Sequence, residues 1–183
     1  MQILFENKLI EKLLYKHFKN RLNNSVYIHI SRRDTNIIAL HNSKNVQKNR
    51  SKLKLSFKNS CKFSNSYIRY HDIEIGDFVL NGSEKEFIEC LERWKSAKFY
   101  QENLDKHAEI CMLFHVLTHE LGHTLQLDNN LFGKRKIVND LSRIRKEDFY
   151  FKDLKQKIEL DAEITARKFG PLLVKKYIQI EKR

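Results

Sequence analysis

The stretch "FHVLTHELGHTLQL", residues 114–127, places two histidines and a glutamate inside a nearly continuous apolar run. His119 and His123 are four residues apart, so on an α-helix they lie one turn apart on a single face, where both imidazoles can reach one cation. Glu120 lies about 100° around the helix from His119 and can reach a water on that cation without being a ligand. Because burying unpaired histidines is unfavourable, the pattern predicts a metal-binding helix rather than a plain core helix.

The motif HExxH, written HELGH here, is typical of zinc hydrolases. In such sites the metal lowers the pKa of a bound water and polarises a carbonyl, while the glutamate removes a proton. These roles predict one Zn²⁺ per chain, with His119 and His123 as ligands and Glu120 as the general base. The longer motif HExxHxxGxxH is excluded, because Gln126 and Asn129 stand where its glycine and third histidine would be.

The third ligand is expected from the segment "KIELDAEITARKFGPLLV", residues 157–174. Four of its residues share one helical face, because they are separated by three, four or seven positions: Glu159, Ala162, Glu163 and Ala166. The small alanines, with Gly122 in the motif, would let the two helices pack closely. We predict that Glu159 completes the metal site and that Glu163 orients a histidine ligand, with Asp161 or Glu163 as alternative third ligands.

Three further residues are candidates by position. His115 lies one turn before His119 and could line the cleft or bind substrate, although a hydrogen-bonded core histidine is the simpler interpretation. The same simpler interpretation applies to His107. Hydrolysis also needs a donor to the transition-state oxyanion, and Tyr150 is a candidate by its location alone, with packing against its phenylalanine neighbours as the alternative.

Composition and hydrophobic patterning predict the fold class α+β in a single domain, 1–183. With 5 glycines and 1 proline in 183 residues, helix should dominate. Residues 1–82 are expected to form an N-terminal amphipathic helix and a small, mostly antiparallel sheet, with 42–51 as a loop. The strand-like runs are 26–30, 36–41, 52–58 and 67–80.

Residues 83–183 are expected to form a helical half that carries the metal site. Ser83 and Glu86 make a capping-box pattern at its first helix. Asp105 could cap the motif helix, and the glutamate helix is expected to stop at Gly170 and Pro171. The sheet of the first half would then pack against these helices.

Charge and cysteine usage limit the partners and the compartment. The net charge of +12 would attract nucleic acid or another polyanion. However, the basic residues are spread along the chain, and the basic segment 134–146 has a solvated helix face as its simpler interpretation. Three widely spaced cysteines, no signal-peptide pattern, and ionisable residues within the apolar stretch 108–127 favour a cytoplasmic protein with no membrane span.

The two motif segments together resemble a known family. HExxH, followed some tens of residues later by the ExxAE of "ELDAEITARKFGPLLV", is similar to the gluzincin arrangement and to the small intracellular metallopeptidases of the ImmA/IrrE type. The resemblance covers 108–174 in motif detail and the first hundred residues in outline. It implies a zincin-like fold and peptidase activity, often against repressor-like regulators. Two positions depart from the family: the nearest acid after HELGH is Asp128, and Glu163 stands where the family has Asn or Asp.

Three functional hypotheses follow. The first is a zinc metallopeptidase that hydrolyses peptide bonds in an intracellular protein, for example a regulator. The second is a non-catalytic zinc-containing regulatory module that binds DNA or a DNA-bound protein, and it is motivated by the positive charge. The third is a structural protein stabilised by zinc, which should unfold when the metal is removed.

Overall fold

The computed structural model describes residues 2–23, 25–30, 39–46, 68–76, 78–129 and 149–182. It contains both helices and a small sheet, which is compatible with the predicted α+β class. In chain order the elements are β1 (Ile3–Leu4), α1 (Lys8–Phe18), β2 (Ser25–Ile30), β3 (Ala39–Val46), β4 (Ile68–Ile75), α2 (Phe78–Asn81), α3 (Glu84–Arg93), a 3₁₀ turn (Ala97–Phe99), α4 (Gln101–Leu104), α5 (Ala108–Asn129) and α6 (Phe149–Glu181).

The sheet has the strand order β1-β2-β4-β3, and it is mainly parallel. β2 pairs in parallel with both β1 and β4, and only β3 and β4 pair in antiparallel fashion. The prediction of a mostly antiparallel sheet is therefore wrong. For β1 and β2 the physical reason is the connection through α1, because a helix between two strands returns the chain to the same end of the sheet, as parallel pairing requires.

The strand predictions succeed where the apolar alternation is strong. β2 matches the run 26–30, and β4 follows the run 67–80 as far as Ile75, after which α2 begins. The loop predicted for 42–51 is wrong over residues 42–46, which belong to β3 because the ladder to β4 pairs even the polar residues 42–45. Residues 47–51 and the predicted strand 52–58 lie outside the described residues.

α1 is the amphipathic helix that the sequence predicts. The Asn7 side chain caps it by accepting hydrogen bonds from the backbone N–H groups of Leu9 and Ile10. Its buried face then packs on α6, where the rings of Phe18 and Phe169 lie 5.1 Å apart.

The predicted capping box of Ser83 and Glu86 is likewise present at the start of α3.

α5 runs through the core, with nearly every residue between Cys111 and Gln126 buried. It begins at Ala108, so the predicted cap at Asp105 is wrong, and Asp105 instead follows α4. No helix in the described ranges is long and apolar enough to cross a membrane.

α6 is one continuous helix, so the predicted stop at Gly170 and Pro171 is also wrong. Proline lacks an N–H and disfavours a helix interior. Here the helix continues because Phe169, Leu173 and Val174 are buried on both sides of the proline, and this packing offsets the lost hydrogen bond.

Candidate metal centre

Three side chains from the two longest helices converge at one point. His119 and His123 come from α5, and Glu159 comes from α6. Each offers one ligand atom, and the three atoms lie within 4.8 Å of one another. Oε2 of Glu159 is 3.3 Å from Nε2 of His119 and 3.5 Å from Nε2 of His123. This group could hold a metal ion.

These separations suit a small tetrahedral cation. Ligand atoms about 2.0–2.1 Å from a tetrahedral zinc are about 3.3 Å apart. The two distances from the Glu159 oxygen, 3.3 and 3.5 Å, are close to that edge length. Glu159 is half exposed, so solvent or a substrate can reach the group from its side. The residues present therefore fit a metal that keeps one open position.

Close packing of α5 against α6 brings the ligands together. A Cβ added to Gly122 would lie only 2.8 Å from Cα of Ala162, which itself has no exposed surface. Ala166 is also fully buried. Glycine and the alanines thus permit the approach that the sequence predicted, and this contact sets the spacing between His123 and Glu159.

His119 is held by two glutamates, one at each ring nitrogen. Nδ1 is 3.3 Å from Oε2 of Glu163, and Nε2 faces Glu159. Burial lowers the pKa of His119, but the hydrogen bonds with Glu159 and Glu163 outweigh it and raise the pKa to about 9. Hydrogen bonds with His119 and His123 hold the pKa of Glu159 well below its usual range. A proton is therefore favoured between these groups in the metal-free protein, and a cation would displace it.

His123 is oriented by Gln126, a residue that the sequence analysis considered only in excluding another motif. Nδ1 of His123 is 3.1 Å from Oε1 of Gln126. The amide of Gln126 donates to the carbonyl oxygen of Ile158 at 2.7 Å and to Oδ2 of Asp161 at 2.9 Å. Gln126 thereby ties the ligand on α5 to the helix that carries Glu159. Its position three residues after His123 was the available signal, because such pairs are neighbours on a helix.

We expect Gln126→Met to weaken zinc binding by about 10- to 100-fold, the usual cost of removing a partner that orients a ligand. Methionine keeps the length and volume but neither accepts from His123 nor donates to α6. The measurement is the zinc dissociation constant by chelator competition, with the exposed Gln101→Met as a matched control. Unchanged affinity in Gln126→Met would show that Gln126 does not position the ligand.

Glu120 is adjacent to the ligands and 7% exposed. Its carboxylate accepts no hydrogen bond from the described part of the chain. Burial raises its pKa, and the nearby His123 and His119 only partly counter this effect. A buried carboxylate of raised basicity beside a metal site is suited to take up a proton.

Glu163 was predicted from the sequence to orient a histidine. Its Oε2 contacts His119 and also lies 3.1 Å from Nε2 of His115. Its other oxygen contacts Ser96 and lies 3.1 Å from Nε of Arg167. Ser96 is distant in sequence, so no sequence pattern identifies it. Both oxygens of Glu163 are thus engaged by other side chains, and Glu163 is not one of the three converging residues.

The other residues that the sequence singled out are not part of the group formed by His119, His123 and Glu159. His115 is fully buried and hydrogen-bonded, as the core interpretation expects, and does not line an open cleft. Asp161 is bonded to Gln126 and is not one of the three converging residues. His107 precedes α5, where its carbonyl accepts from the N–H of Cys111. Tyr150 is in the first turn of α6, but its side chain lies outside the described part of the structure.

Comparison with known proteins gives no match: no protein-family model, no curated protein and no solved structure is significantly similar to this chain. The geometry of the metal centre is therefore the basis for the functional proposal.

Proposed function

We propose that this protein is a zinc metallopeptidase of gluzincin type, with one Zn²⁺ held by His119, His123 and Glu159. The observation that carries the proposal is the convergence of these three side chains beside a buried glutamate. Two histidines and one glutamate are a known ligand set of catalytic zinc, which keeps a fourth position for water or substrate. The half-exposed Glu159 is consistent with such an open site.

Zinc bound here would supply Lewis acidity towards a carbonyl and would lower the pKa of a water. Glu120 then acts as the general base and accepts a proton from the attacking water. As the oxygen of that water bonds to the carbonyl carbon and the C–N bond breaks, Glu120 delivers the proton to the leaving amine. Burial suits Glu120 to the first of these steps, because its raised pKa favours proton uptake.

The proposed substrate is an intracellular protein, such as a regulator, and the proposed compartment is the cytoplasm. The substrate class follows from the resemblance of HELGH and ExxAE to the ImmA/IrrE-type peptidases. An extended peptide could reach the metal from the side where Glu159 is exposed.

We expect Glu120→Gln to keep its zinc and to lower kcat/KM by at least about 100-fold, the typical range for loss of a general base. Glutamine has nearly the same shape but cannot accept the proton. The measurement pairs elemental zinc analysis with hydrolysis of a mixture of fluorescence-quenched peptides. The control is Glu89→Gln, since Glu89 is an exposed glutamate on α3. Hydrolysis by Glu120→Gln at the wild-type rate would overturn the proposal.

A non-catalytic regulatory module that binds DNA or a DNA-bound protein is the second candidate. Arg21, Lys168 and Lys176 are exposed, and among the described residues none of them has a carboxylate within ion-pair distance. They lie where α1 meets α6, since Arg21 and Lys168 both approach the ring of Phe169, at 4.8 and 5.6 Å. Lys176 contacts Nε2 of His17 at 2.7 Å. Cations that no carboxylate neutralises attract phosphate groups. This candidate predicts that Glu120→Gln keeps full biological activity.

A further inference from the structure

A buried chain of polar groups lies behind His119, on the side away from Glu159. Glu163 Oε2 is 3.3 Å from Nδ1 of His119 and 3.1 Å from Nε2 of His115. The other ring nitrogen of His115, Nδ1, is 3.1 Å from the hydroxyl of Tyr100. His115 and Tyr100 are at most 1% exposed. One carboxylate oxygen is thus shared between a metal ligand and a histidine of the core.

Donor and acceptor counting fixes the direction of the two hydrogen bonds to Glu163. The Glu163 carboxylate faces the guanidinium of Arg167 at 3.1 Å, which favours the ionised form, and an ionised carboxylate only accepts. Both imidazoles must therefore donate to it. His115 thus donates from Nε2 to Glu163, and as a neutral imidazole it accepts at Nδ1 from the hydroxyl of Tyr100. His119 likewise donates from Nδ1, so that when a cation displaces the proton between Nε2 and Glu159, the lone pair of Nε2 is directed at the metal site.

Aromatic packing prevents His115 from leaving this position. Its ring stacks on Trp94 with centroids 5.2 Å apart and an interplanar angle of 24°. The ring of Tyr100 meets it edge-on at 5.8 Å. The Tyr100 hydroxyl is confined in turn, because it occupies the space that a Cβ on Gly170 would need. The glycine in the middle of α6 therefore makes room for the end of the chain.

We infer that His115 is a positioning residue for the metal centre: together with Tyr100 it holds the Glu163 oxygen in place and so fixes the tautomer and orientation of His119. The inference rests on the proposed metal site. It assigns a function to a fully buried histidine outside the HExxH motif, and it links the metal to Trp94 and Tyr100 through hydrogen bonds and ring contacts.

The substitution His115→Phe distinguishes a positioning role of His115 from a role in packing alone. It preserves an aromatic ring against Trp94 but donates nothing to Glu163. We expect His115→Phe to weaken zinc binding by about 10-fold, the lower end for residues that act through a ligand's partner. We also expect a shifted visible absorption spectrum of the cobalt-substituted protein, because the ligand field at His119 changes. A residue needed only for packing would leave both readouts unchanged.

The decisive comparison is a double-mutant cycle with Glu163→Gln. If His115 acts through Glu163, then His115→Phe will have little further effect on zinc affinity when Glu163 is already replaced. His115→Gln, which can place an amide donor near the same oxygen, should restore part of the affinity. Tyr100→Phe removes a single hydroxyl and should weaken zinc binding in the same direction, so it provides the test if His115→Phe does not fold.

Full affinity in both His115→Phe and Tyr100→Phe would overturn the inference, and so would equal losses from His115→Phe with and without Glu163. These outcomes are distinct from failure of the proposed function. If the wild-type protein binds neither zinc nor cobalt, the metal site itself is wrong. If the wild type binds zinc but the cycle shows no coupling, only the role of His115 is wrong.

Discussion

Replacing His123 or Glu159 with alanine should leave the protein with almost no zinc, and the proposed metal site predicts one zinc per chain in the wild type. Each change removes one of three converging ligands, and Glu159 is the residue whose oxygen lies 3.3 and 3.5 Å from the two histidines. The measurement is elemental analysis of proteins purified under metal-replete conditions. Far-ultraviolet circular dichroism would show that the variants remain folded.

Glu89→Ala is the matched control for Glu159→Ala, because both glutamates are about half exposed, with side-chain values of 54% and 49%. It should keep the full zinc content. If Glu159→Ala alone retained zinc, the third ligand would be misassigned and Glu163 would be the next candidate. If the wild type bound no zinc, the metallopeptidase proposal would fail.

Metal removal from the wild type should also abolish activity before it unfolds the protein, in contrast to a purely structural zinc.

Gly122→Ala should destabilise the protein, although the same change in an ordinary helix stabilises it by up to about 1 kcal/mol. The added Cβ would lie 2.8 Å from Cα of Ala162 and 3.2 Å from its carbonyl oxygen. Backbone atoms cannot rotate away, so α5 and α6 must separate. With an overpacking cost of about 1–3 kcal/mol, we expect a lower free energy of unfolding and weaker zinc binding, because Glu159 moves away from the histidines.

Urea denaturation of the metal-free proteins measures the first effect, and chelator competition measures the second. The control is Lys85→Ala, at an exposed position on α3, which should change stability by no more than about 0.5 kcal/mol. An increase in stability for Gly122→Ala would mean that the helices are not in the close contact described.

The sequence predicted those parts of the site whose geometry is local. Helical spacing alone places His119 and His123 on one face with Glu120 beside them, and it places Glu159 and Glu163 one turn apart. The caps of α1 and α3 also depend on a few consecutive residues, so Asn7 and Ser83 act as their positions suggest. Even the small residues at the helix contact, Gly122 and Ala162, were visible in the sequence because of their size.

Contacts between residues far apart in the sequence determined the strand pairing and the length of α6. The parallel pairing of β1 with β2 depends on how α1 connects these two strands, and the polar residues 42–45 form a strand because β4 supplies a partner. α6 continues through Pro171 because its neighbours are buried.

Glu159 rather than Asp161 converges with the two histidines, and Gln126 holds Asp161 in a separate hydrogen bond. The partners of Glu163 include Ser96, 67 positions away, and His115, 48 positions away. Side-chain periodicity sets which residues share a helical face, but hydrogen bonds between distant segments form only when packing brings them together. The sequence by itself therefore determined the candidate ligands, and the tertiary structure decided which of them meet and what orients them.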